Sequence, residues 1–152
     1  MEEEQKIINE VASELFEKLG LTAEITMSNK EGVHIVHFKT EEDAPLLIGR
    51  HAHTLAALQR VLSAMLYKKF ERKVDVLVDV NDYRAVQKER LSNIADSVAQ
   101  RVVEEKRNAR LSSFSPYERK IIHEHISSHY HSLESKSEGE GLDRVLVVSI
   151  KE

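Results

Sequence analysis

The sequence predicts an α+β fold, built as two small units in series. Three observations carry that expectation. Apolar residues recur three or four positions apart in residues 3–19, 53–70, 84–107 and 116–128, the spacing of one buried helix face. Val74, Val76, Val78 and Val80 alternate with Asp75, Leu77 and Asp79, a period-two strand with one apolar face. That strand stops at Asn81-Asp82-Tyr83, a turn signal, and a new helical pattern starts directly after it.

In chain order, Ile7, Ile8, Val11, Leu15, Phe16 and Leu19 mark a first helix that Gly20 stops as a C′ residue. Ile25 and Met27 alternate with polar neighbours in one strand, Val33 to Phe38 form a second, and Asn29-Lys30-Glu31-Gly32 is the turn between them. Residues 40–48, acidic early and with Pro45, suit a short helix. Residues 49–52 then make a tight turn into the long helix of residues 53–70, and the valine strand completes a closed unit. In the second half a long helix spans residues 84–107, and a short strand is expected at residues 111–114. The next helix is announced twice. Ser115 and Glu118 have capping-box spacing, and Pro116 sits at the first helical position, where a missing amide costs nothing. This helix is expected to end between residues 128 and 130, fraying there. Residues 135–142, polar and with Gly139 and Gly141, are expected as a loop, and residues 145–150 as a last strand buried on both faces.

Totals narrow the class. A chain of 152 residues, 41% hydrophobic and 32% charged, with five glycines and two prolines, reads as folded and globular. With no cysteine, disulfides and thiolate metal sites are excluded. The acidic start Met1-Glu2-Glu3-Glu4 has no basic stretch before an apolar core, and no apolar run is long enough to span a bilayer. A cytoplasmic protein without membrane insertion is expected. The net charge of −4 hides a basic centre: acids crowd the first 43 residues and the tail, whereas Arg50, Arg60, Lys68, Lys69, Arg72 and Lys73 open a basic middle that runs on to Arg110. Partners respond to the local field, so this centre is compatible with phosphate.

Two constellations stand out. The first is Leu46-Leu47-Ile48-Gly49-Arg50-His51-Ala52, an apolar run that stops at a glycine before a helix N-terminus. Gly49 lets a backbone come close, and the first amides of a helix attract anions. The second is Arg119 and His123, four apart on the helix that opens Pro-Tyr-Glu-Arg, and so on one face within reach of each other. Lys120 and Arg84 are candidate neighbours. Tyr117 is placed either to stack on a base or to pack against its domain.

The first element order, with a Gly-Arg-His-Ala turn between two helices, resembles a type II KH domain. In that family a Gly-x-x-Gly turn clamps the backbone of about four single-stranded nucleotides. Here Gly49 matches the first glycine, Arg50 and His51 are the variable pair, and Ala52 replaces the second glycine. Alanine penalises a positive-φ backbone. The second half, with Arg-x-x-x-His after Phe-Ser-Pro-Tyr-Glu and before Ser-x-Gly-x-Gly and a valine strand, resembles the arginine–three residues–histidine domain, a small single-stranded nucleic-acid binder. Both domains in this order, joined by Val-Asp-Val-Asn-Asp-Tyr-Arg, resemble the bacterial Jag family, also called SpoIIIJ-associated proteins or KhpB. The resemblance implies domains at residues 1–82 and 83–152 and a non-catalytic, cofactor-free RNA-binding regulator linked to cell elongation or sporulation. The N-terminal Jag domain of many members is expected to be missing.

On this reading Gly49, Arg50, His51 and Ala52 face one run of nucleotides, and Arg119, His123, Lys120 and Arg84 a second. The partner is single-stranded RNA or DNA, with a second small KH protein or self-association beside it. Two other classes compete. One is a docking or dimerisation module without nucleic acid. The other is a metal-dependent hydrolase on the histidine cluster, in which His125 and His129 have the four-residue spacing that can hold a metal.

Overall fold

A computed structural model describes residues 2–152. The chain divides into two compact units, Met1–Arg84 and Ala85–Glu152, each with a buried cluster of its own. Helices and strands mix in both. Among the described residues no helix is long and apolar enough to cross a membrane.

The first unit runs α1 (Glu2–Leu19), β1 (Glu24–Lys30), β2 (Val33–Lys39), α2 (Ala44–Ile48), a single 3-10 turn at Arg50–Ala52, α3 (His53–Phe70) and β3 (Val76–Val80). Helix α1 ends as its glycine requires. Gly20 stands at φ +68, its amide donates to Glu17 O at 3.0 Å and that of Leu21 to Phe16 O at 3.1 Å, the paired bonds of a Schellman stop. Strand β2 lies at the centre of the sheet, antiparallel to β1 and parallel to β3. Its alternate residues Val36 and Phe38 are buried with Val76, Val78 and Val80 against Ile8, Leu62 and Leu66 of the helices, and Phe38 stacks on Phe16 with ring centroids 3.8 Å apart. Strand β3 is an edge, and α3 covers part of it. The side-chain amide of Gln59 donates through Nε2 to Val76 O and accepts from the Val78 amide at 2.6 Å. The short second helix is tighter than expected, Ala44–Ile48 rather than residues 40–48, because residues 40–43 form a turn in which Thr40 Oγ1 accepts from the Asp43 amide at 3.3 Å.

The second unit comprises α4 (Tyr83–Glu105), whose first two residues fall before the division, then β4 (Ala109–Leu111), α5 (Pro116–His129), β5 (Leu133–Glu138), a 3-10 turn at Gly141–Asp143 and β6 (Val145–Ile150). Leu91, Ala95, Val98 and Val102 of α4 bury against Ile122 and Ile126 of α5 and the sheet β4-β6-β5, antiparallel throughout. Three sequence expectations are corrected here. Residues 135–142 are not one loop, since residues 135–138 belong to β5, paired with β6 from Leu133↔Ile150 to Glu138↔Val145. A polar segment without β-branched residues becomes a strand because its valine-rich neighbour supplies the ladder and the packing. Strand β4 begins at Ala109 and ends at Leu111, because Ser113 turns the chain at φ +66. The end of α5 is pinned rather than fraying, because Asp96 of α4 takes hydrogen bonds from His125 and Tyr130.

Candidate nucleic-acid interface

The turn between α2 and α3 has an unusual backbone. Gly49 is at φ +72, and a Cβ there would lie 2.2 Å from Thr54 Oγ1, so neither the torsion nor the space admits a side chain. His51 and Ala52 follow at φ +52 and +58, two successive left-handed residues that are not glycine. Ala52, standing where the resemblance expects a second glycine, therefore has a glycine's conformation without a glycine's freedom. The Ala52 amide returns to Gly49 O at 3.3 Å, and Arg50 projects into solvent. The result is an exposed cation on a tightly folded turn at the head of an 18-residue helix.

In the second unit, α5 and the β5–β6 hairpin build a groove lined by Pro116, Arg119, Lys120, His123, Ser135, Ser137, Arg144 and Leu146. The capping box fixes the start of α5: Ser115 Oγ accepts from the Glu118 amide at 3.2 Å, and Glu118 Oε2 accepts from the Ser115 amide at 2.7 Å. One turn on, Arg119 is only 8% exposed, with Nη1 donating to Phe114 O at 2.7 Å. Among the described residues it has no carboxylate in ion-pair contact. A nearly buried guanidinium held by one carbonyl is a cation still lacking its counter-charge. His123 Nδ1 meets Ser135 Oγ at 2.6 Å, which fixes the ring and leaves Nε2 available. Lys120 is exposed beside Glu124 at 3.7 Å, a weak surface pair. Arg144 donates Nη1 to Gly139 O at 2.8 Å and brings a further guanidinium to the groove.

The predicted residues thus fall into two sets in separate units. Gly49, Arg50, His51 and Ala52 form one, and Arg119, Lys120 and His123 the other. Arg84 lies at the end of the first unit, where its Nε donates to Val78 O at 3.1 Å and its amide to Asp79 Oδ1 at 3.3 Å. Tyr117 is 56% exposed and does not pack inward. Sequence reasoning misses Ser135, Ser137 and Arg144, all carried by the hairpin read as loop and strand. The serines alternate with Glu134, Lys136 and Glu138, a period-two signal without the apolar residues that would flag it.

The histidine pair is occupied otherwise. His125 and His129 stack with ring centroids 4.3 Å apart, His125 Nε2 meets Asp96 Oδ1 at 2.7 Å, and His129 Nδ1 meets His125 O at 3.0 Å. The hydrogen bonds from His125 and then Tyr130 hold the Asp96 carboxyl below its usual 3.8, and the same Asp96 contact pushes the Tyr130 phenol above 10.0.

A family model, that of the arginine–three residues–histidine (R-x-x-x-H) domain, matches residues 89–149, which span α4 through β6 and contain the whole groove. The second unit carries an R-x-x-x-H domain. Over a longer stretch the chain is similar to three bacterial proteins, each named RNA-binding protein KhpB. That of Bacillus subtilis (strain 168) is 38% identical over 113 residues, covering 74% of this chain and 54% of that protein. That of Clostridium symbiosum is 28% identical over 143 residues, 93% of this chain and 64% of that protein. That of Streptococcus pneumoniae serotype 2 is 35% identical over 129 residues, 84% of this chain and 39% of that protein. The chain therefore spans from 39% to 64% of the length of these relatives. The domain match and the KhpB relatives together support the Jag/KhpB family.

Proposed function

We propose that this protein binds single-stranded RNA through the groove of its R-x-x-x-H domain and acts by binding rather than by catalysis. The observation that carries the reading is Arg119, nearly buried at 8% exposed, in a groove that also receives Lys120, His123 and Arg144. Among the described residues no carboxylate pairs with it. A phosphate supplies the missing charge, and the guanidinium geometry matches it bidentately. The relatives named for RNA binding point the same way. On this reading the first unit is a type II KH domain, and its Gly49-to-Ala52 turn offers Arg50 to a second stretch of backbone. The whole is then a cytoplasmic bacterial regulator. A second small KH protein or another copy of the chain is the protein partner, which sizing with and without RNA would reveal.

The test is titration of a fluorescent single-stranded RNA at several salt concentrations. Affinity falls with salt, and each of Lys120→Ala, Arg144→Ala and Arg50→Ala shallows the log–log slope by about 0.7, the single-strand value for one phosphate contact. Arg119→Ala weakens binding further and is read beside a melting curve, because this side chain also supports Phe114. Binding indifferent to salt and to all four substitutions overturns the proposal. The same titration with single-stranded DNA establishes which strand chemistry is preferred.

A further inference from the structure

We propose a divalent metal site of the zinc class in the first unit, formed by His37, Asp79 and Asp82. One donor atom from each lies within 4.8 Å of the others. The placement begins with sheet register. His37 of β2 and Asp79 of β3 are direct partners in the parallel pair, so their side chains leave the same face side by side. The chain then turns at Asn81 and Asp82, at φ +50 and +56. Asn81 anchors that turn: its amide donates to Phe38 O at 3.0 Å, its Oδ1 accepts from the Thr40 amide at 3.0 Å, and its Nδ2 donates to Thr40 O at 2.7 Å. Asp82 is thereby held above the His37–Asp79 pair.

Each donor is prepared differently. His37 Nε2 meets Ser28 Oγ at 3.0 Å, and with that nitrogen protonated, Nδ1 presents its lone pair toward Asp82 Oδ1, 4.0 Å away. Asp79 is only 7% exposed, and among the described residues no cationic side chain is in ion-pair contact with it. The amides of Val80 and Arg84, at 3.0 and 3.3 Å, both donate to its Oδ1, so the second oxygen stays available as a ligand. Two carboxylates and one imidazole thus converge within 4.8 Å, and Asp79, with Oδ1 taken by two amides, keeps one solvent-reachable oxygen to offer a cation that would offset the paired negative charge. The Asp82 side chain is 80% exposed and free to close the last distance. Ligands about 2.1 Å from one ion stand about 3.5 Å apart, so a modest rotation suffices. One imidazole and two carboxylates favour zinc over magnesium or calcium, which take oxygen donors. The bound ion would tie the end of β2 to the turn that starts α4.

The experiment uses the full chain, stripped with a chelator and titrated with zinc chloride by calorimetry at neutral pH, with cobalt(II) as a spectroscopic probe. Wild type binds one equivalent and gains melting temperature with added zinc. His37→Ala and Asp82→Asn, both at solvent-facing positions, each weaken binding at least about tenfold. Ser28→Ala weakens it less, and His125→Ala leaves it unchanged. The proposal is overturned if wild type takes up no zinc, leaving His37 and Asp82 an ordinary weak ion pair. It is equally overturned if His125→Ala, not His37→Ala, removes the binding.

Discussion

At the scale of single residues, the left-handed turn and the buried arginine carry most of the meaning. Ala52 at φ +58 has a torsion that a β-carbon resists. Ala52→Gly is expected to stabilise the first unit by up to about 1 kcal/mol, the relief of strain outweighing the freedom that glycine adds to the unfolded chain. Gly49→Ala acts in the opposite direction and more strongly, since its Cβ meets Thr54 at 2.2 Å. Urea denaturation of both variants checks the pair. The turn is legible in the sequence because glycine before a helix is a local signal. So is the shared face of Arg119 and His123, which follows from helical spacing. The burial of Arg119 is not legible, because it depends on Phe114 folding back across the capping turn to offer its carbonyl. Nor are Ser135 and Arg144, which reach the groove only through strand pairing.

Elements obey their own rules. Helix α5 begins where its capping box dictates, and Ser115→Ala should cost about 1 kcal/mol by orphaning the Glu118 amide. Its other end rests on Asp96, and that contact has a pH signature. The Asp96 carboxyl binds its proton less readily in the folded chain than in the unfolded one. Its contribution is therefore complete above 3.8 and fades as pH falls through the lower folded value. Tyr130 works in the reverse sense: its raised value makes its contribution complete below 10.0 and lost as pH rises through the folded value. Asp96→Asn should lower the melting temperature across the neutral range, with the gap from wild type narrowing toward both the acid and the alkaline limit. A gap that stays constant with pH would assign the loss to packing alone. The long helices and strand β3 are readable because periodicity is local. Strand β5 is not, because Leu133 is its one apolar residue and β6 recruits it.

For the whole molecule, the decisive fact is that among the described residues no buried residue of one cluster belongs to the other. Each unit thus holds a complete apolar core, and the fragment of residues 83–152, which keeps α4 whole, should fold by itself. Dispersed amide resonances from that fragment would show it, and a collapsed spectrum would mean that the first unit is needed.

Gln59 has a consequence for solutions of this protein at high concentration. By offering β3 one donor and one acceptor two residues apart, a single side chain imitates the next strand and keeps a neighbouring molecule from taking that place. Gln59→Ala would leave the edge open as a template for strand addition. Light scattering on concentrated samples should then rise with time in the variant while the parent stays clear, although the two differ by a single side chain.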